Sequence, residues 1–267
     1  MHRATLDAMI RAAIEAGARI SEIYAEKFDA AAKRDGTPVT RADHEAEAII
    51  ERVLAPLGLP MLGEEKVASG HVPDLGERFF VVDPLDGTKE FIKKNGEFSV
   101  NIGLVDRGKV ISGIVLAPAL GKIWGGSDDG AWVAEVHGIE CGIPQKIAVQ
   151  SATPPRFVGS RSHGHAAFNS LLREFGGTEN LSVGSALKFC LVAEGAAQLY
   201  PRLTPTSEWD TAAGQAVLEA AGGTLITLSG TSLVYGKQLE SFINPMFVAA
   251  VSAPLARACA AKMRALV

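Results

Sequence analysis

The chain has 267 residues, of which 47% are hydrophobic and 21% charged, and its formal net charge is −4. This composition is typical of a globular protein with a large core and excludes an intrinsically disordered chain. It contains no dense block of basic residues and no apolar run of about 20 residues, so neither a polymeric nucleic acid partner nor a membrane span is expected. The three widely spaced cysteines predict neither a disulfide framework nor a structural zinc site. The cytoplasm is the expected location, with peripheral contact to the inner membrane surface and oligomeric state left open.

Apolar residues at helical spacing predict two helices near the N-terminus. The first covers residues 6–24 and has an amphipathic pattern instead of the apolar core of a signal peptide. The second begins at Thr40, where Thr40-Arg41-Ala42-Asp43 resembles a capping box with Asp in the usual Glu position. Residues 33–39 are rich in turn formers, and we expect them to open a hairpin or to lead into the second helix.

From Phe79 onwards the hydrophobic period shifts toward two, which predicts an antiparallel meander ending near Val149. Beyond a linker at residues 151–155, strand and helix patterns alternate as far as Leu228. Such alternation is typical of layered βα structure. The chain is therefore predicted to have an α+β half at 1–150 and an α/β half at 151–267.

The most informative segment is Asp83-Pro84-Leu85-Asp86-Gly87-Thr88, directly after the apolar run 79–82. We expect the strand to stop at the proline and a helical turn to begin near Thr88. Burying two ionised carboxylates is costly unless cations or hydrogen bonds compensate them. The glycine allows another group to approach the backbone, and the threonine places a hydroxyl beside free N–H groups. This corner suits a divalent metal on one side and a phosphate on the other, as in a metal-dependent phosphatase.

Two further segments supply carboxylates that could complete a metal site. These are Gly63-Glu64-Glu65, after a short strand pattern, and Trp209-Asp210, before a predicted helix. Taken singly, the glutamates are most simply a solvated loop pair and Asp210 a helix N-cap. Taken together with Asp83 and Asp86, they form a set of hard oxygen ligands suited to Mg²⁺.

These three motifs resemble the signatures of the inositol monophosphatase superfamily, whose members are Mg²⁺-dependent, Li⁺-inhibited phosphatases. The segments 89–92, 95–98, 184–195 and 200–202 are similar to its bacterial 3′(2′),5′-bisphosphate nucleotidase branch, and the likeness extends from the first helix to Asn244-Pro245. The resemblance implies a layered α/β/α/β/α sandwich. An antiparallel sheet would form the N-terminal half, which would bind metal. A smaller βα-layered unit would form the C-terminal half and contribute substrate contacts and one metal ligand, and the metal site would lie in the cleft between the two.

The resemblance also implies two or three Mg²⁺ ions. Glu64, Asp83 and the carbonyl oxygen of Leu85 would hold one ion, and Asp83, Asp86 and Asp210 a second. A third, more labile ion would lie near Glu64. A metal pair neutralises charge on the attacking and leaving sides of a phosphate ester and makes hydroxide available near neutral pH.

The catalytic residues that the resemblance implies are Asp35, Thr88 and Glu64. Asp35 lies in Asp35-Gly36-Thr37-Pro38-Val39-Thr40, where the family has Ser in place of Thr37. Together with Thr88, this aspartate would orient the attacking water. Considered alone, Asp35 would be an Asx-turn residue before a glycine.

By resemblance, the substrate is 3′-phosphoadenosine 5′-phosphate, which would be hydrolysed to AMP and phosphate. Its sulfated precursor, 3′-phosphoadenylyl sulfate, would be a second substrate, which links the chain to sulfur assimilation. The candidate substrate-binding residues are Gly87, Thr88, Ser160, His163, Ser185, Lys188, Arg202 and Asp210. Lys188 and Arg202 would hold the retained phosphate, since Arg can grip it through two N–H groups.

Simpler interpretations remain for this second set, because Lys188 could be a helix-surface lysine and His163 an exposed loop histidine. The alternative functions are an inositol-phosphate or broad-specificity sugar-phosphate phosphatase, and a non-catalytic nucleotide-binding protein that keeps the fold.

Overall fold

The structure is a computed structural model that describes residues 2–26, 30–33, 38–160, 166–177 and 180–266. Its helices are α1 (His2–Ala25), α2 (Arg41–Leu54), α3 (Glu64–Ala68), α4 (Thr88–Ile92), α5 (Ala166–Glu174), α6 (Leu187–Ala193), α7 (Ala212–Ala220) and α8 (Ala253–Leu266). None of these described helices is long and apolar enough to cross a membrane.

The strands are β1 (Ala30–Ala32), β2 (Pro38–Thr40), β3 (Met61–Gly63), β4 (Arg78–Asp86), β5 (Ser99–Asp106), β6 (Lys109–Ala117), β7 (Lys122–Ser127), β8 (Gly130–His137), β9 (Glu140–Cys141), β10 (Gln145–Ile147), β11 (Phe157–Ser160), β12 (Asn180–Val183), β13 (Leu199–Arg202), β14 (Thr206–Ser207), β15 (Thr224–Thr227), β16 (Ile243–Asn244) and β17 (Phe247–Ala250). Short 3₁₀ turns occur at Ala55–Leu57, Pro118–Leu120 and Gln238–Glu240.

The elements stack as helix, sheet, helix, sheet, helix. Helices α1 and α2 pack on one face of the first sheet, α6 and α7 lie between the two sheets, and α5 and α8 cover the far side of the second. This arrangement confirms the predicted α/β/α/β/α sandwich. Because every layer buries apolar residues against the next, the chain has one continuous series of cores.

The first sheet has the strand order β10-β8-β7-β6-β5-β4-β3, with β9 paired to β8. All neighbours are antiparallel except β3 and β4, which run parallel. The predicted meander is therefore confirmed. The predicted capping box of α2 is present as well: Asp43 Oδ2 accepts a hydrogen bond from the backbone N of Thr40 at 2.7 Å. Residues 30–32 and 38–40 form the two-stranded β1–β2 pairing.

Strand β4 is longer than the sequence predicts. We expected it to stop at Pro84, but it continues to Asp86, with a register shift against β5 between Asp83 and Asp86. A bulge tolerates a proline because the ladder is already interrupted there. In a regular strand, residues three apart point to opposite faces, so this irregularity is what allows both aspartates to serve one site.

The second sheet has the order β12-β11-β13-β17-β15. Strand β11 runs parallel to β12 and β13, whereas β17 is antiparallel to β13 and β15. The predicted linker at 151–155 contains no helix or strand. The division of the chain at residue 150 stays a prediction.

Helix α7 follows Asp210 in the C-terminal half, but packs directly on the first sheet. Glycines on β6 and β7 make this close approach possible. A Cβ atom on Gly113 would lie 2.4 Å from the Ala213 carbonyl oxygen, and one on Gly126 would lie 2.5 Å from Val217 Cα. This packing brings the start of α7 toward the bulged end of β4.

Candidate active site

A cavity of about 210 Å³ lies where the end of β4 meets α6, β13 and the segment before α7. Residues of both halves line it, among them Glu64, Asp86, Thr88, Lys188, Arg202 and Asp210. The cavity therefore brings together most of the charged side chains that the sequence singled out.

Three predicted metal ligands form a carboxylate cluster at this cavity. Oxygens of Asp83, Asp86 and Asp210 all lie within 4.8 Å of one another. Asp83 is buried and its Oδ1 accepts a hydrogen bond from the backbone N of Leu85 at 3.0 Å. Asn101 donates to Asp86 Oδ2 at 3.2 Å. These contacts fix the directions in which the first two carboxylates point.

Asp210 does not cap the helix that follows it. Thr211 occupies the N-cap position of α7, and Asp210 Oδ2 instead accepts hydrogen bonds from the Thr206 hydroxyl and from the backbone N of Ser207, the latter at 3.2 Å. The N-cap interpretation is therefore wrong, and the carboxylate is free to face Asp83 and Asp86.

Glu64 begins α3 and lies outside the three-carboxylate cluster. Lys33 Nζ lies 2.6 Å from Glu64 Oε1 and 2.6 Å from Glu65 Oε1. Glu65 is buried, and its backbone N donates to Glu47 Oε1 at 3.0 Å. The solvated-loop interpretation of this glutamate pair is therefore wrong, because both carboxylates are engaged by a largely buried lysine.

The acidic groups raise one another's pKa values. Burial raises the pKa of Glu64 to about 8, and the nearby Asp210 carboxylate adds to the rise. Burial, with the same neighbour, raises the pKa of Asp86 to about 7. The pKa of Asp83 stands well above its usual range because the group is buried beside Glu64, Asp86 and Asp210. Carboxylates crowded together in this way repel one another when ionised, and a bound cation would relieve that repulsion.

The donor set fits a hard divalent cation. Its members are carboxylate oxygens of Asp83, Asp86, Asp210 and Glu64, with the carbonyl oxygen of Leu85 close by on β4. Oxygen ligands of this kind suit Mg²⁺, whereas soft metals prefer sulfur and nitrogen. The residues present therefore fit the metal that the family implies.

The turn from β4 into α4 depends on a glycine. Gly87 has φ of 92°, and a Cβ at this position would lie 3.0 Å from the carbonyl oxygen of Glu97. A larger residue would meet both backbone strain and a steric clash. The turn places Thr88 at the first position of α4, on the cavity wall.

Thr88 contacts an aspartate that sequence reasoning treated only as a helix cap. Its Oγ1 lies 3.1 Å from Asp43 Oδ1 and 3.2 Å from the Leu85 carbonyl oxygen. Asp43 is buried, and its Oδ2 accepts hydrogen bonds from both the backbone N and the hydroxyl of Thr40. The local pattern around Asp43 carries no signal for this contact, which only the folded chain creates.

Three of the predicted site residues cannot be placed in full. Asp35 and His163 lie outside the described residues. Ser160 ends β11, and only its backbone is described. Their predicted roles stay predictions.

The cavity is also lined by two cationic side chains, Lys188 and Arg202, whose charges attract those of Asp86 and Asp210. Lys188 is buried, which makes the helix-surface interpretation wrong; its Nζ donates to the Ser185 carbonyl oxygen and lies 5.6 Å from the centroid of the Tyr200 ring. Arg202 Nε donates to the Thr204 carbonyl oxygen at 3.2 Å. Ser185 has φ of 49°, and among the described residues its buried hydroxyl has no hydrogen-bond partner. These groups offer an anion several N–H donors and a hydroxyl.

A model of the inositol monophosphatase family matches residues 2–259. The chain belongs to the inositol monophosphatase family. It is 46% identical, over 247 residues, to the 3′(2′),5′-bisphosphate nucleotidase CysQ of Escherichia coli O157:H7, a match that covers 91% of this chain and 98% of the relative. The predicted family is therefore confirmed, as is the prediction that the chain is an enzyme.

Solved structures of the inositol monophosphatase family have the same fold. CysQ from Bacteroides thetaiotaomicron superposes with a TM-score of 0.79 at 34% identity, covering 93% of this chain and 98% of the other. An IMPase of Thermotoga maritima gives a TM-score of 0.78 at 21% identity, covering 100% and 98%. At that lower identity the likeness supports the fold alone.

Proposed function

We propose that this chain is a Mg²⁺-dependent 3′(2′),5′-bisphosphate nucleotidase that hydrolyses 3′-phosphoadenosine 5′-phosphate to AMP and phosphate. One observation carries the proposal: the carboxylate cluster of Asp83, Asp86 and Asp210 shares one cavity with the cationic Lys188 and Arg202. A substrate with two phosphates could use both groups of side chains, the carboxylates through bound metal and the cations directly. The bisphosphate nucleotidase relatives support this choice of substrate, and 3′-phosphoadenylyl sulfate is the proposed second substrate.

The carboxylate cluster and its bound metal would receive the phosphate that is removed. Glu64, Asp83, Asp86, Asp210 and the Leu85 carbonyl oxygen would hold the Mg²⁺ ions. When bound, such ions neutralise charge on the phosphoryl group and lower the pKa of a coordinated water.

Thr88 and Asp43 are proposed to orient the attacking water. When the Thr88 hydroxyl donates its hydrogen bond to Asp43 Oδ1, at 3.1 Å, its oxygen can accept a hydrogen bond from a water in the cavity. N–H groups in the first turn of a helix have no acceptor within that helix, and those of Thr88 and Lys89 are proposed to bind phosphoryl oxygens beside Gly87 on the cavity wall.

Lys188 and Arg202 would bind the phosphate that is retained. Lys188 is buried, Arg202 is partly buried, and both line the cavity, so an anion bound by them would be partly shielded from bulk solvent. Charge-assisted hydrogen bonds gain strength in such surroundings. An inositol monophosphate has no second phosphate for Lys188 and Arg202 to bind. The bisphosphate nucleotide should therefore be the better substrate.

A substrate panel tests the proposal. Phosphate release would be measured with Mg²⁺ for the two nucleotides, inositol 1-phosphate and p-nitrophenyl phosphate, with Asp83→Asn as the inactive control. We expect kcat/KM for the bisphosphate nucleotide to exceed that for inositol 1-phosphate by about 100-fold or more, and Li⁺ to inhibit. Comparable values would favour a broad sugar-phosphate phosphatase, and absence of turnover on every ester would favour a nucleotide-binding protein. The cytoplasmic location stays a prediction.

A further inference from the structure

A fully buried carboxylate lies two residues before Asp210. The side chain of Glu208 is 0% exposed. Its Oε2 accepts a hydrogen bond from the backbone N of Gly236 at 2.7 Å, and its Oε1 accepts from the backbone N and the Nζ of Lys237 at 2.9 and 2.6 Å. Both oxygens are therefore satisfied by one short stretch of the chain. A buried charge held in this way is costly to release, because each lost partner would leave it uncompensated.

The same stretch also holds the residue after Asp210. Lys237 Nζ donates to Asn244 Oδ1 at 2.8 Å, and Asn244 Nδ2 donates to Thr211 Oγ1 at 2.7 Å. Residues 236–244 thus bind side chains on both sides of Asp210, the Glu208 carboxylate before it and the Thr211 hydroxyl after it. The network is continuous from one side to the other.

The carboxylate of Asp210 itself depends on this network. Its Oδ2 accepts hydrogen bonds from the Thr206 hydroxyl and the Ser207 backbone N, and both donors lie on β14. Strand β14 pairs antiparallel with β16, with Thr206 opposite Asn244. The direction of the Asp210 side chain is therefore determined by a ribbon whose other strand belongs to the 236–244 stretch.

We propose that Glu208, Lys237 and Asn244 are positioning residues that orient Asp210 and thereby set the affinity of the metal that Asp210 helps to bind. All three lie behind the part of the cavity wall formed by Thr206, Asp210 and Thr211. The inference rests on the proposed metal role of Asp210. Hydrogen bonds that orient a metal ligand commonly change metal affinity by about 10- to 100-fold when they are removed.

The test is calorimetric titration of the metal-free full chain with Mg²⁺, together with the Mg²⁺ dependence of kcat. We expect Lys237→Met to weaken one Mg²⁺ site by about 10-fold or more, while kcat recovers largely at saturating Mg²⁺. Lys237→Arg, which keeps a cation beside Glu208, should restore most of the affinity. Lys262→Met is the matched control, since Lys262 pairs with Glu174 across 2.5 Å on the surface and should leave Mg²⁺ binding unchanged.

Asn244→Ala keeps the Glu208–Lys237 ion pair and serves as the second variant if Lys237→Met does not fold. It should weaken the same Mg²⁺ site by about 5- to 10-fold. A purely structural role would lower the melting temperature of both variants and leave the Mg²⁺ dissociation constants within about two-fold of wild type. That result would overturn the positioning role and leave the proposed function standing. A wild-type chain that binds no Mg²⁺ would overturn the proposed metal role of Asp210 together with the inference.

Discussion

The hydroxyl of Thr88 lies 3.1 Å from Oδ1 of Asp43, a residue that precedes it by 45 positions. The other carboxylate oxygen of Asp43 is bound by the backbone N and hydroxyl of Thr40, which hold the group rigidly at the start of α2. A helix cap thus also presents a fixed acceptor to the threonine on the cavity wall. The same aspartate caps α2 and contacts the Thr88 hydroxyl that we propose orients the attacking water.

We expect Asp43→Asn to lower kcat by about 100-fold, because the amide of Asn can turn an N–H toward Thr88 and the hydroxyl then loses a dependable proton acceptor. KM should change by less than about three-fold. Steady-state kinetics and urea unfolding of the same preparations measure both effects. Thr40→Ala is the control, since it removes part of the cap, at a cost of about 1 kcal/mol, and leaves Thr88 bound to Asp43. Equal losses of kcat in both variants would contradict a role for the Thr88 contact. Asp35→Asn, assayed alongside, shows whether the predicted Asp35 is needed as well.

Replacing one member of the carboxylate cluster should stabilise the metal-free protein. Asp86→Asn removes a partly buried negative charge beside Asp210 while keeping an oxygen that can accept a hydrogen bond from Asn101. In EDTA near pH 8 we expect the melting temperature to rise by about 2–5 °C, and the gain in melting temperature on adding Mg²⁺ to be largely lost. Asp106→Asn is the matched control of opposite sign. The Arg78 guanidinium holds the pKa of Asp106 below its usual range, so its loss should not stabilise the protein. An unchanged response of Asp86→Asn to Mg²⁺ would argue against its role as a metal ligand.

Mg²⁺ should stabilise the protein more strongly as the pH rises. In the metal-free protein the pKa of Asp86 is about 7 and that of Glu64 about 8, whereas unfolded carboxyl groups titrate near 4. The folded state therefore binds protons more tightly, so its free energy of unfolding falls as the pH rises from about 4 through about 8. Mg²⁺ competes with those protons, and its binding near pH 7 should release them.

Thermal unfolding between about pH 5.5 and 8.5, with EDTA and with Mg²⁺, measures this dependence. Calorimetric titration in two buffers of different ionisation enthalpy counts the released protons. A Mg²⁺ stabilisation that stays constant over this range, with no proton release, would mean that Glu64 and Asp86 do not bind the metal.

Lys188→Met should separate the two phosphate positions. The lysine is buried, so methionine fills a similar volume and removes only the charge. We expect kcat/KM for 3′-phosphoadenosine 5′-phosphate to fall by about 10-fold or more, and that for p-nitrophenyl phosphate to change by less than about three-fold. Arg202→Lys keeps a positive charge but loses the planar pair of donors, and should show a smaller effect of the same kind. An equal loss of kcat/KM on both substrates would mean that Lys188 acts at the reacting phosphate or only supports the fold.

Local sequence patterns were enough to predict α1, α2 and the meander, because each of these elements repeats its own apolar period, whereas α3 and α8 were not predicted. Helix α2 is an example: its capping box and its apolar stripe both lie within the segment that they define. The end of β4 was not predictable in this way. A proline normally interrupts a strand, and only the register against β5 shows that a bulge carries the strand on to Asp86.

The parts of the site that sequence reasoning missed are contacts between distant segments. Asp43 and Thr88 are 45 residues apart, and the Glu208–Lys237 contact spans 29. Lys188 was open to interpretation as a surface residue because a short helix usually exposes one face. Helix α6 lies between two sheets instead, so it is buried on nearly every side, its lysine included.

The packing of α7 against Gly113 and Gly126 restrains the carboxylate cluster. Asp210 immediately precedes this helix, and Asp83 and Asp86 belong to the sheet on which the helix rests. The geometry of the acidic cluster is thus set by close atomic contact between a helix and a sheet, with no adjustable hinge in between. Separating α7 from the first sheet would expose that contact to water and move Asp210 away from Asp83 and Asp86. We therefore expect substrate to enter and product to leave through the mouth of the cavity while α7 stays packed on the first sheet.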